Sequence, residues 1–217
     1  MMTENVKRII AGSIMGLGAI GAGVAEYFGI PAVRWLAVAI IVAMIIEYTF
    51  CLKRAQKPKN PGRWNLLTYL LPYAWLALML AAAYFIGARP WIVLLMLLII
   101  TFADIGAFFF GRLFGGDKMW ERLSAGKTWA GQIAGIICGT FAAVMYGLLG
   151  TDAFLPQLLW IGISVSLLSQ YGDLTASWMK RKLGIKDFGN IIPGHGGVID
   201  RFDGWIYVLP IIWLVTL

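Results

Sequence analysis

Apolar residues come in long unbroken runs along the chain, and the charged positions collect in short stretches between them. Runs of this length, without the alternation of an amphipathic element, predict helices that cross a membrane. Seven can be drawn: Ile9 to Gly29, Ala32 to Leu52, Leu66 to Ile86, Pro90 to Gly111, Trp129 to Gly150, Phe154 to Ser177, and Gly204 to Leu217. A hydrocarbon core about 30 Å thick takes about 20 residues of helix. The last run has only 14 residues and is expected to be tilted, interfacial or a half-span. The first follows Lys7 and Arg8 but is long for a signal segment and leads directly into a second run, so it is expected to remain as a helix.

Composition agrees with that reading. Of 217 residues, 60% are hydrophobic and 13% charged, and the mean hydropathy is +0.78, which excludes an ordinary soluble domain. The expected fold is an all-α, polytopic integral membrane helix bundle, a single domain over residues 1–217. Cys51 and Cys138 both lie in apolar runs, so neither a disulfide framework nor a metal-binding cysteine pattern is on offer. Gly12, Gly16, Gly18, Gly21 and Gly23 in the first run suit close helix packing.

Lysine and arginine in short loops accumulate on the cytosolic side of a membrane. With the N-terminus inside, 16 of the 18 basic residues fall on that side, and only Arg34 and Arg89 fall outside. The net charge of +7 therefore belongs to one face. For the stretch from Lys53 to Arg63, topology and attraction to anionic lipid are explanation enough. Two later loops also carry carboxylates, glycines and the chain's one histidine.

Acids inside spans are costly and point to function. Glu26, Glu47, Asp104 and Asp173 qualify. Glu26 and Glu47 read as paired or interfacial acids. Asp104 and Asp173 each lead into a basic, glycine-containing loop on the cytosolic face. Asp104 sits about seven residues inside its helix end, roughly 10 Å deep.

The first loop ends in Ser124-Ala125-Gly126-Lys127-Thr128 at the start of the fifth run. Ser124 is expected to cap that helix, leaving backbone N–H groups beside Lys127 and Thr128 for phosphate. A P-loop is not formed, because Glu121 stands where its first glycine belongs. The second loop mixes Asp173, Asp200 and Asp203, hard oxygen ligands suited to Mg²⁺, with the phosphate-neutralising Lys180, Arg181, Lys186 and Arg201. Gly194, Gly196 and Gly197 allow the backbone to approach a ligand closely.

The run Ser177, Lys180, Arg181, Lys186, Asp187, Pro193 to Gly197, Asp200, Arg201 and Asp203 resembles the signature of the phosphatidate cytidylyltransferases, also called CDP-diacylglycerol synthases. The similarity extends upstream through Gly172-Asp173, Ser124, Lys127, Thr128 and Gly131, covering roughly residues 104–203. Ala125 and Ala130 depart from it, standing where the family has proline and glutamate.

The resemblance implies transfer of the cytidylyl group of CTP to phosphatidate, with pyrophosphate released and the bilayer as the third partner. Nucleic acid is not among the partners, and a homodimer stays open. In this reading Asp173 and Asp200 hold Mg²⁺ with Asp203 in support, and a second, monovalent cation stays open beside it. Asp173, Asp200, Lys186 and Arg201 carry the chemistry. Ser124, Lys127, Thr128, Lys180, Arg181, Asp187, His195, Gly196, Gly197 and Asp104 bind substrate. The implied location is the cell's inner membrane, with the site facing the cytosol. The rivals are a CTP-dependent polyprenol or lipid kinase and a membrane transporter. A CDP-alcohol phosphotransferase lacks its Asp-Gly-x-x-Ala-Arg pattern here.

Overall fold

The structure, a computed structural model, describes residues 4–54, 70–120, 123–150, 154–192 and 196–216. Its helices are α1 (Glu4–Tyr27), α2 (Ala32–Arg54), α3 (Leu71–Ile86), α4 (Pro90–Phe114), α5 (Trp129–Gly150), α6 (Leu155–Leu183), α7 (Ile199–Phe202) and α8 (Trp205–Val215). A short hairpin of β1 (Lys118–Trp120) and β2 (Ser124–Thr128) precedes α5. Each of the seven apolar runs carries a helix, in keeping with the all-α membrane class. Among the described residues, α2, α4 and α5 are long and apolar enough to cross a bilayer by length and composition. The 11 residues of α8, with Pro210 inside it, reach about 16 Å at 1.5 Å per residue, half a hydrocarbon core.

The chain divides into two compact units. One comprises Met1–Pro90, Met179–Asp203 and Leu209–Leu217; the other comprises Trp91–Trp178 and Gly204–Val208.

In the first unit α2 is the central element. It buries Met44, Tyr48 and Cys51, and α3 buries Leu76, Met79 and Ala83. The rings of Tyr48 and Tyr73 meet edge to face at 5.3 Å, and the Thr49 and Tyr73 hydroxyls are hydrogen-bonded at 2.8 Å. Glu26 accepts a hydrogen bond from the Val33 N–H at 3.2 Å, so the acid at the end of α1 serves the first turn of α2.

The second unit is built on a seam of glycines. Lipid tails are as apolar as leucine, so helices in a membrane gain by close backbone approach rather than by hiding apolar surface. Gly131, Gly135 and Gly139 fall four residues apart on one stripe of α5. A Cβ at these positions would lie 2.7 Å from the Ala107 carbonyl oxygen, 2.8 Å from that of Ala103 and 3.1 Å from that of Ile99, each one turn further back along α4. The two helices are therefore antiparallel and locked in register. The same helix meets α6 closely, where a Cβ at Gly162 would lie 2.6 Å from the Thr140 Cα. The glycines expected to pack α1 do not do so: at Gly18, Gly21 and Gly23 nothing lies within 4 Å. Gly12 and Gly16 lie outside the residues whose surroundings are described.

The hairpin was not legible in the run pattern. Lys118 pairs with Thr128 and Trp120 with Ser124, so Ser124 opens a strand instead of capping a helix. Thr128 takes that task, its hydroxyl oxygen accepting from the Gly131 N–H at 3.1 Å.

Candidate active site

In the second unit, a cavity of about 770 Å³ opens where α4, the hairpin, α5 and α6 meet. Asp104 reaches it from α4, Lys127 and Thr128 from β2, and Asp173 from α6. The glycine seam explains the convergence. Ala103 and Ala107 flank Asp104 in sequence and touch Gly135 and Gly131, which fixes the carboxylate's height relative to the strand entering α5. Gly115 and Gly116, both at positive φ, end α4 and line the cavity with backbone. Gly111 lets α4 pass Thr128, since a Cβ there would stand 3.1 Å from its hydroxyl oxygen.

An ion pair spans this cavity. Lys127 Nζ lies 2.5 Å from Asp173 Oδ2, and Ser177 reaches Asp173 Oδ1 at a long 3.5 Å. Arg112 and Lys118 add two further cations to the wall, so three cations face two carboxylates. The expected row of unbonded N–H groups at the start of α5 is partly taken. Trp129 N–H donates to the Asp117 carbonyl at 3.2 Å, and Gly131 N–H goes to Thr128.

In the first unit the signature residues are organised around Asp200. Helix α6 ends at Leu183 because Gly184 takes φ +70°. The Gly184 and Ile185 N–H groups then close back on the Arg181 and Lys180 carbonyls at 3.2 and 3.0 Å. Lys180 thus stands in the last turn of the helix. Its ammonium donates to Asp200 Oδ1 at 2.8 Å and sits 5.7 Å from the centre of the Phe188 ring. Asp200 Oδ2 accepts from the Phe188 N–H at 2.9 Å and the Gly197 N–H at 3.0 Å. Gly196 at φ +87° accepts at its carbonyl from the Ile192 N–H at 3.0 Å, closing the loop. Arg181, Lys186, Asp187 and Arg201 are exposed, and Asp203 is half-buried just after α7. His195, with Pro193 and Gly194, lies outside the described residues.

The structure brings the candidates Asp104, Ser124, Lys127, Thr128 and Asp173 around one cavity and sets Lys180 beside Asp200. The same cavity is lined by Arg112, Lys118, Gln132 and Gln170, which the sequence did not single out. Arg112 carried a usable signal, lying eight residues after Asp104 and so on the same helix face. Among the described residues no group of three or more metal-ligating side chains is gathered.

The cytidylyltransferase family model matches residues 2–217. The phosphatidate cytidylyltransferase of Staphylococcus saprophyticus is 42% identical over 121 residues, 55% of this chain and 46% of the relative. That of Staphylococcus haemolyticus is 41% identical over 121 residues with the same coverage. That of Staphylococcus aureus is 39% identical over 122 residues, again 55% of this chain and 46% of the relative. The match spans less than half the length of these curated relatives.

Proposed function

Because the chain belongs to the cytidylyltransferase family, we propose that it transfers the cytidylyl group of CTP to phosphatidate, forming CDP-diacylglycerol and releasing pyrophosphate. The observation that carries this reading is the cavity shared by Asp104, Lys127 and Asp173. It is a cation-rich pocket among membrane-length helices, where a lipid phosphate can be met without its acyl chains leaving the bilayer.

In the reaction a phosphatidate oxygen attacks the α-phosphorus of CTP, and the bond to the bridging oxygen of the β-phosphate breaks. The attacking oxygen is already ionised near neutral pH, so no dedicated base is required. The residues act by placing the two phosphates in line and by neutralising charge as pyrophosphate departs. Lys127, Lys186 and Arg201 are assigned to phosphate oxygens, with Arg181 alongside. Arg112 and Lys118, on the wall of the same cavity as Lys127, join them.

Mg²⁺ binds through one or two carboxylates plus substrate phosphates. In the second unit Asp173, beside Asp104 on the cavity wall, would hold the ion; in the first unit Asp200 and Asp203 are the carboxylates proposed for it. Its contribution is Lewis-acid polarisation of the phosphates. Lys127 orients the Asp173 carboxylate and Lys180 that of Asp200. The proposed setting is the inner membrane with the site facing the cytosol, a reading supported by the 16 basic residues against two in the topology.

The test is purified protein in detergent with Mg²⁺, phosphatidate and CTP labelled at the α-phosphate. Label should move into the organic phase as a CDP-lipid. Label held wholly in water-soluble species overturns the reading, and lipid labelled from γ-labelled CTP would instead identify a kinase.

A further inference from the structure

Glu47 lies near the end of α2, where the sequence reads it as a paired or interfacial acid. In the structure it is 2% exposed. Its Oε2 accepts a hydrogen bond from the Ile199 N–H at 2.8 Å, which ties α2 to the first turn of α7. Two glycines make room for it. A Cβ at Gly197 would stand 2.5 Å from both carboxylate oxygens, and one at Gly189 would overlap Oε1. Among the described residues Oε1 has no hydrogen-bond partner.

A buried carboxylate is a costly way to fill space. An apolar side chain of the same size would pack there without desolvating a charge. What only an acceptor can supply is the bond to the Ile199 amide, and that amide belongs to the residue preceding Asp200. The two adjacent residues therefore carry separate restraints, Glu47 on the Ile199 amide and the Lys180, Phe188 and Gly197 donors on the Asp200 side chain. Tyr48, the next residue of α2, packs its ring against Phe188 at 6.5 Å. The end of α2 is thus the seat of the segment that presents Asp200 and Arg201. Gly189 and Gly197 are glycines because Glu47 occupies the space a side chain would need.

We propose that Glu47 is a positioning residue for the nucleotide: from α2 it sets the Ile199–Arg201 segment in the place from which that segment engages the CTP phosphates. The inference rests on the cytidylyltransferase reading above. It assigns Glu47 no contact with substrate.

The experiment compares the wild-type chain with Glu47→Gln and Glu47→Leu, each purified in detergent, by steady-state CDP-lipid formation with either substrate varied. Glutamine keeps a carbonyl acceptor for the Ile199 N–H and should retain activity within about threefold. Leucine leaves that buried amide without a partner. It should lower kcat/KM for CTP about tenfold to a hundredfold, with KM for phosphatidate within about twofold. Equal kcat/KM for CTP in the leucine and wild-type proteins overturns the proposal, as does a loss shared equally by both substrates. If the leucine variant is not recovered folded, Gly189→Ala takes its place, since its methyl would press on the same carboxylate. The same CTP-selective loss is then expected, and an unchanged KM and kcat for CTP overturns the proposal. A wild-type protein that makes no CDP-lipid would instead sink the functional reading itself, which separates the two failures.

Discussion

Removing the Lys180 ammonium tests whether Asp200 organises the signature segment. The pair is mostly buried, with side-chain exposures of 15% and 7%. At 2.8 Å and an effective dielectric near 20, the attraction is about 6 kcal/mol before desolvation is subtracted. Breaking a buried pair by removing one partner costs about 3–5 kcal/mol. Because Phe188 and Gly197 continue to donate to Asp200, the lower figure applies. A Lys180→Met protein should therefore open this segment about a hundredfold more often, since about 1.4 kcal/mol corresponds to a factor of ten. Hydrogen exchange at the Phe188 and Gly197 amides reads that opening directly, because both protons are held by the same carboxylate. Lys180→Arg keeps the charge and should restore most of the protection. Exchange in the methionine variant within about threefold of wild type would show that the amides alone hold Asp200, and would refute the argument.

Other outcomes follow from the same geometry. Asp173→Asn should lose most CDP-lipid formation while the protein elutes and melts as wild type; near-normal turnover would remove Asp173 as a metal ligand. Chelation of divalent cations should abolish turnover, with Mg²⁺ restoring it, and full activity in excess chelator would count against the assigned cofactor. Gly135→Ala places a methyl 2.8 Å from the Ala103 carbonyl and should destabilise the protein by about 1–3 kcal/mol, seen as a lowered melting temperature in detergent. Thr128→Val removes the α5 cap at a cost of about 0.5–2 kcal/mol, whereas Thr128→Ser should melt close to wild type.

The membrane class and the helix positions were legible because they depend on run length, which is local in sequence. The signature segment was legible for a similar reason, since its lysines, glycines and aspartates stand close together. What was not legible depends on contacts between distant parts of the chain. Glu47 is separated from Ile199 by 152 positions, and nothing near it in sequence indicates that a pair of glycines is cut away around its carboxylate. The glycines of α1 looked like a packing stripe, but those of α5 form the seam, and a stripe shows its use only beside its partner helix. Ser124 was a fair candidate cap by residue type. The helix starts at Trp129 as its apolar run indicated, but the hairpin moves the cap four residues on, to Thr128, and its short strands carry too little alternation to announce themselves.

The seam of Gly131, Gly135 and Gly139 also divides α5 into two faces with different freedom to vary. On the opposite side Ile133, Ile137 and Phe141 are 56%, 63% and 57% exposed, positions that meet lipid. That side can follow a change in bilayer thickness or acyl composition one residue at a time, because its side chains are mostly exposed. The glycine side can change only together with the facing turns of α4, and any such change would be felt at Asp104. Adaptation to a new membrane and retuning of the cavity are therefore open to independent selection on a single helix.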